Sequence, residues 1–234
     1  MSRALAPLGA ALVLAGCAGD LVMPFELDHD RVVAVRSSPP RILTGERAEI
    51  DALLATPTAS PVEAPPELAT VIAPASLAST LTYEGGRWFV TAPAEPQLAA
   101  ARAELMLAAD APVPLQVGVS YAGQTLLGTK TVWLGATAQN PSLASATIDG
   151  VALAAGTEIV ATREVPVTLS IEATEEDDVN WLTSVGETRD FDLPLAYLEV
   201  PLADEEVRVA GDLALVVRAK DGGVAWRVWT LRVQ

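Results

Sequence analysis

Gly211-Asp212-Leu213-Ala214-Leu215-Val216-Val217, then Asp221-Gly222-Gly223, then the stretch from Val224 to Val233, decide how this chain folds. The first run is apolar from Leu213 onward and too short for a typical helix, so it reads as a strand continuing to Ala219. Asp221 and the two glycines after it read as a turn. The last stretch is rich in Val and Trp, residues suited to a pleated surface, and predicts a second strand. Successive side chains on a strand point to opposite faces, so Trp226 and Trp229, three positions apart, cannot share one without a bulge. Leu231 and Val233 have the parity of Trp229, which makes Trp229 the core member. Trp226 falls with Val224 and Val228 on the second face, to be covered by another domain of the chain or by a partner, and is the candidate binding surface.

The same punctuation recurs through the chain. Short apolar runs separated by Gly, Pro, Asp and Asn predict strands over residues 31–37, 48–55, 77–83, 87–91, 115–121 and 125–134. A further set is predicted over 144–148, 157–161, 166–173, 179–183, 195–200, 213–219 and 224–233. Pro39-Pro40 ends the first strand, because proline has no N–H for the ladder. Glu84-Gly85-Gly86 and Ala122-Gly123 each turn one strand back on the next. Residues 56–76 hold five prolines and predict a surface loop or irregular edge. Leu98, Arg102 and Leu105 stand at helical spacing in an alanine-rich stretch, which predicts a short crossover helix over 95–107. Small and polar residues over 135–141 separate the two strand sets, giving a first domain at 31–135 and a second at 140–234. Trp88 and Trp133 sit in predicted strands and are expected to fill sandwich cores.

Two places in the second set carry a family likeness. Asn180-Trp181 followed by Gly186-Glu187 resembles the third-strand tryptophan and adjoining turn of immunoglobulin-like and PKD-type domains, and the run 211–217 with Asp221-Gly222-Gly223 resembles their sixth strand and final turn. The resemblance spans residues 140–234 and implies an immunoglobulin-like β-sandwich there, and with the general sandwich pattern of the first half the chain is expected to be all-β, two tandem immunoglobulin-like β-sandwiches. It departs from the family pattern at Leu213, where such domains often carry a tyrosine, and no cysteine pair staples the sheets. The run from Arg36 to Glu46 is similar to the opening of domains in bacterial lipoproteins.

At the N-terminus, Arg3 and the α-amine precede an apolar stretch, residues 4–15, too short to span a bilayer. It ends in Leu14-Ala15-Gly16-Cys17, whose cysteine is the only one in the chain and has no disulfide partner within it. This segment resembles the signal peptide and lipobox of bacterial lipoproteins. The resemblance implies removal of residues 1–16 by cleavage between Gly16 and Cys17, acylation of Cys17, and a lipidated tether over residues 17–30. Several acyl chains hold a protein at a membrane where one does so only reversibly. Ala18 after the cysteine implies sorting to the outer membrane of the cell envelope.

A net charge of −15 argues against nucleic acid as a partner, because phosphates would be repelled. His29, the only histidine, lies between Asp28 and Asp30 in the expected tether and has too few companions for a usual zinc site. Glu175, Asp177 and Asp178 are the candidate calcium ligands of the densest acidic cluster, although the cluster lacks Asp-x-Asp-x-Asp-Gly spacing. With Cys17 taken up by lipid and no second histidine, cysteine–histidine catalysis has no free thiol to use, and no metal or cofactor is expected. The chain is therefore expected to be a non-enzymatic structural or protein-binding module with an envelope protein or glycan as partner. A carbohydrate-binding lipoprotein, marked by a flat exposed Trp platform, and an envelope hydrolase with two inward carboxylates are the alternatives.

Overall fold

A computed structural model describes residues 23–202 and 208–234. The leader, Cys17 and the acids Asp204, Glu205 and Glu206 lie outside the described residues.

The first sandwich contains β1 (Arg31–Ser38), β2 (Arg41–Ile42), β3 (Arg47–Ala55), β4 (Val62–Ala64), β5 (Leu68–Ala73), β6 (Leu81–Glu84), β7 (Arg87–Thr91), helix α1 (Glu95–Glu104), β8 (Val113–Tyr121) and β9 (Leu126–Leu134). One sheet has the order β1-β3-β7-β6, with β4 added against β3, and the other has β2-β9-β8-β5. Pro39-Pro40 falls between β1 and β2 and passes the chain from one sheet to the other, where β2 runs parallel to β9. Ile50, Leu115, Val117, Val132 and Leu134, from both sheets, are fully buried in one core, and α1 lays Leu98 and Ala101 on it. Each such side chain contributes about 1.5–3 kcal/mol relative to exposure. The helix stops at Glu104, short of residue 107, and Met106 takes a left-handed φ of 55°.

The second sandwich contains β10 (Thr147–Ile148), β11 (Val151–Ala152), β12 (Ile159–Ala161), β13 (Val167–Ser170), β14 (Asp178–Thr183), β15 (Glu187–Arg189), β16 (Leu195–Glu199), β17 (Ala210–Arg218) and β18 (Val224–Val233). Its sheets have the orders β11-β10-β13-β16-β15 and β12-β18-β17-β14. Lettered along the chain and leaving out β4 and β11, both sandwiches have strands A-B-E-D in one sheet and A′-G-F-C in the other. This is the strand arrangement of immunoglobulin-like domains. Trp181 on β14, the C strand, is fully buried and stacks on Trp229 of β18 with ring centroids 6.5 Å apart. The Trp229 indole donates to the Ala154 carbonyl at 2.9 Å.

Three local expectations need correction. Residues 56–76 are not a plain loop, since they supply β4 and the C strand β5. All five prolines of this stretch fall outside those two strands, and Ala69 and Val71 turn inward to the core. Of the strand expected over 77–83, residues 81–83 lie in β6 but 77–80 belong to a 3₁₀ turn over 75–80, held by the Thr80 hydroxyl donating to the Leu77 carbonyl at 2.7 Å. Glu187, read with Gly186 as a turn, instead opens the short edge strand β15, which pairs with β16.

Candidate functional site

The strongest concentration of buried and charged side chains outside the two cores lies where the sandwiches meet. On β17, Leu213, Leu215 and Val217 point into the second sandwich, while Ala214 and Val216 point out. On β18, Trp229, Leu231 and Val233 point in, and Val224 and Trp226 point out. The outward set, with Leu182 of β14, packs on Val33, Ala34, Leu53 and Ala55 of β1 and β3. The continuous apolar run of β17 is thus a strand buried on both faces, one by its own sandwich and one by the other.

Residues 23–30 enter this seam, so the tether expected over 17–30 is not free along its whole length. Phe25 and Leu27 are buried among the same residues. The Leu27 N–H donates to the Thr183 carbonyl at 2.9 Å and the Thr183 N–H to the Phe25 carbonyl at 2.8 Å. This strap runs into β1 of the first sandwich yet hydrogen-bonds to β14 of the second. Its apolar side chains leave water only by occupying the seam.

Trp226 is 7% exposed. Its indole N–H donates to Glu63 Oε1 at 2.6 Å, and the Arg36 guanidinium lies 3.9 Å from its ring centroid. Arg36 is itself forked onto Asp51 by bonds of 3.1 and 2.5 Å. Burial pushes the Asp51 carboxyl up, and the Arg36 bond opposes that shift. The surface that Trp226 would offer a partner is therefore occupied by the first sandwich, because its face of β18 is the one turned toward β1 and β4.

Beside Trp226 the junction is polar. Lys130 donates to the Gly222 carbonyl at 2.6 Å, Arg41 to the Asp221 carbonyl at 2.7 Å and Arg218 to the Val33 carbonyl at 2.8 Å. Asn140 donates to the Ser37 carbonyl at 3.0 Å and accepts from the Val224 N–H at 2.9 Å. Desolvation, with Arg218 adding repulsion, lowers the Lys130 ammonium to about 8. Gly222 has φ +94° and a side chain there would meet Trp133 Nε1 at 2.9 Å, so glycine is required twice over. Trp133 accordingly lies at this junction and not in a core: its neighbours Val132 and Leu134 take the inward parity. A groove of about 420 Å³ runs along this edge of the seam, bordered by β1, β9 and the β17–β18 turn.

Elsewhere, Leu68, Ile72 and Leu127 are exposed around an apolar shelf on the outer face of β5, β8 and β9. Glu175 and Asp178 are exposed, and Asp177 accepts from the Thr174 N–H at 3.0 Å as part of a local turn. Among the described residues, His, Cys, Asp and Glu side chains gather closely enough for a metal only at Glu26, Asp28 and His29. No helix among the described residues is long and apolar enough to cross a membrane. Sequence reasoning missed Phe25, Leu27, Arg36, Glu63, Lys130 and Arg218 as junction residues. The available signal was Lys130, a cation at the parity of Val132 and Leu134, where an apolar residue is expected.

No family model and no curated protein sequence matches the chain. Among solved structures, it is similar to the N-terminal Ig1-2 module of the Drosophila receptor protein tyrosine phosphatase DLAR at 11% identity and a TM-score of 0.30, covering 88% of this chain and 99% of that one. The EC1-2 region of human mucin-like protocadherin aligns at 13% identity and a TM-score of 0.26, covering 86% and 98%. A nucleoside hydrolase-related hypothetical protein of Saccharophagus degradans aligns at 16% identity and a TM-score of 0.30 over 38% of this chain, which spans only 25% of that protein. At these scores the fold assignment rests on the strand order of the chain itself.

Proposed function

We propose that this chain is a non-enzymatic module of the bacterial cell envelope, anchored through acylated Cys17 at the outer membrane, whose two sandwiches act as one stiff spacer or protein-binding unit. The observation that carries this reading is the seam. Trp226, Phe25 and Leu27 are buried between the sandwiches, and the charged groups around them are turned onto carbonyls and carboxylates of the junction, which leaves them fixing geometry and not facing a substrate. A stiff unit suits a role in holding a partner at a set distance from a membrane, since relative motion is the default for domains with small or polar contacts. The carbohydrate reading is the weaker one because no tryptophan among the described residues is exposed.

The anchor rests on Leu14-Ala15-Gly16-Cys17. Membrane fractionation of the native host, with mass spectrometry of the N-terminal peptide, tests it. The expected result is a chain that begins at a diacylated or triacylated Cys17 in the outer-membrane fraction and is displaced from it by Cys17→Ser. A soluble, unmodified wild-type chain, or one that retains residues 1–16, would overturn the anchoring.

A further inference from the structure

We propose that Glu26, Asp28 and His29 form a site for a divalent transition-metal ion, zinc being the best match, on the outer side of the strap that enters the seam. One ligand atom from each of the three lies within 4.8 Å of the other two. No ion pair or hydrogen bond joins the His29 ring to either carboxylate, and His29 Nδ1 is cut off from solvent without a hydrogen-bond partner. Two carboxylates and an imidazole are thus gathered around a shared space without bonding across it.

The path of the strap explains the gathering. Glu26 forms a single bridge to Thr183 between the buried Phe25 and Leu27 and so faces away from the seam, and Asp28 follows at the start of the bend over residues 28–30. His29 joins them at the bend that precedes β1. Glu26 is further fixed by accepting the Met23 N–H on Oε2 at 3.0 Å, which leaves Oε1 for a ligand. Arg31, the nearby cation, turns its guanidinium onto the backbone carbonyls of Pro24 and Glu26, at 2.9 and 3.1 Å.

One imidazole nitrogen with two carboxylates is a donor set for zinc or a similar borderline ion, completed by water, and lacks the six or more oxygens that calcium takes. Bonds of about 2.0–2.2 Å in a tetrahedron place ligands roughly 3.4 Å apart, so closure requires side-chain rotations on the order of 1 Å. The bound ion would staple the strap in the conformation that buries Phe25 and Leu27. The site stands whether or not Cys17 is acylated.

His29 is the only histidine, so its two ring C–H resonances report the site without ambiguity. The test adds zinc alone to metal-free full-length chain carrying Cys17→Ser, so that no thiol competes, and follows these resonances beside calorimetry. Saturation at one zinc per chain with displaced His29 resonances, weakened at least tenfold by both Asp28→Asn and His29→Gln, is the expected result. Glu26→Gln serves in place of Asp28→Asn should that variant not fold. Unmoved His29 resonances at stoichiometric zinc, or equal affinity in the His29→Gln chain, would overturn the proposal.

Discussion

Replacing Trp226 by alanine removes the centre of the seam while leaving both sandwich cores untouched. A buried tryptophan covers about 150–250 Å², which at roughly 25 cal/mol/Å² corresponds to about 4–6 kcal/mol. Measured losses for burying-Trp truncations run about 3–5 kcal/mol, because surroundings relax in part. The bond from the indole to the charged Glu63 and the Arg36 contact at 3.9 Å are lost with it. Trp226 meets Arg36 and Glu63 of the first sandwich across the seam, so the expected loss of about 3–5 kcal/mol falls on the coupling between sandwiches. Calorimetric unfolding of the wild type should show one dominant cooperative transition. The variant should show two, with the earlier one lowered by roughly 10 °C. Trp229→Ala is the comparator, since it opens the second core and should lower that sandwich's own transition. A single unsplit transition shifted by less than about 1 kcal/mol would refute the account of the seam.

Lys130 makes stability pH-dependent. Its folded-state value of about 8 lies below the ordinary 10.5, so between those two the unfolded chain binds the extra proton and stability rises with pH, by about 3 kcal/mol in all. Urea unfolding from pH 7 to 10.5 should show this rise in the wild type and lose it in Lys130→Met. The wild-type minus variant difference is the readout, because burial pushes the Tyr121 phenol up and so acts in the opposite sense above pH 10. Equal slopes for the two chains would contradict the assignment. Leu27→Ala, in a segment that reads as tether, should cost about 2–4 kcal/mol, since Leu27 is 1% exposed in the seam. Limited proteolysis should then cut within residues 23–30 in the variant but not in the wild type, and equal resistance of both would argue against strap docking.

Much of the fold was legible because strand and turn signals are local. The glycines at 85, 86, 123 and 222 have positive φ, as their turn positions demand, and the strand at residues 87–91 begins and ends where its alternation does. The parity of β18 placed Trp226 and Trp229 on opposite faces from the sequence alone. The C strand β5 was hidden because its six residues sit among prolines that break no ladder only by lying just outside it. The candidate site was less legible for a different reason. Nothing in the order of residues says that the outer face of β17 and β18 meets β1 and β3, that Lys130 reaches the Gly222 carbonyl, or that Phe25 and Leu27 fill the gap. Periodicity determines which side of a strand is apolar, because successive side chains must alternate. What covers that side is decided by contact between segments far apart in the chain, where burial, charge pairing and shape act together only after both sandwiches exist.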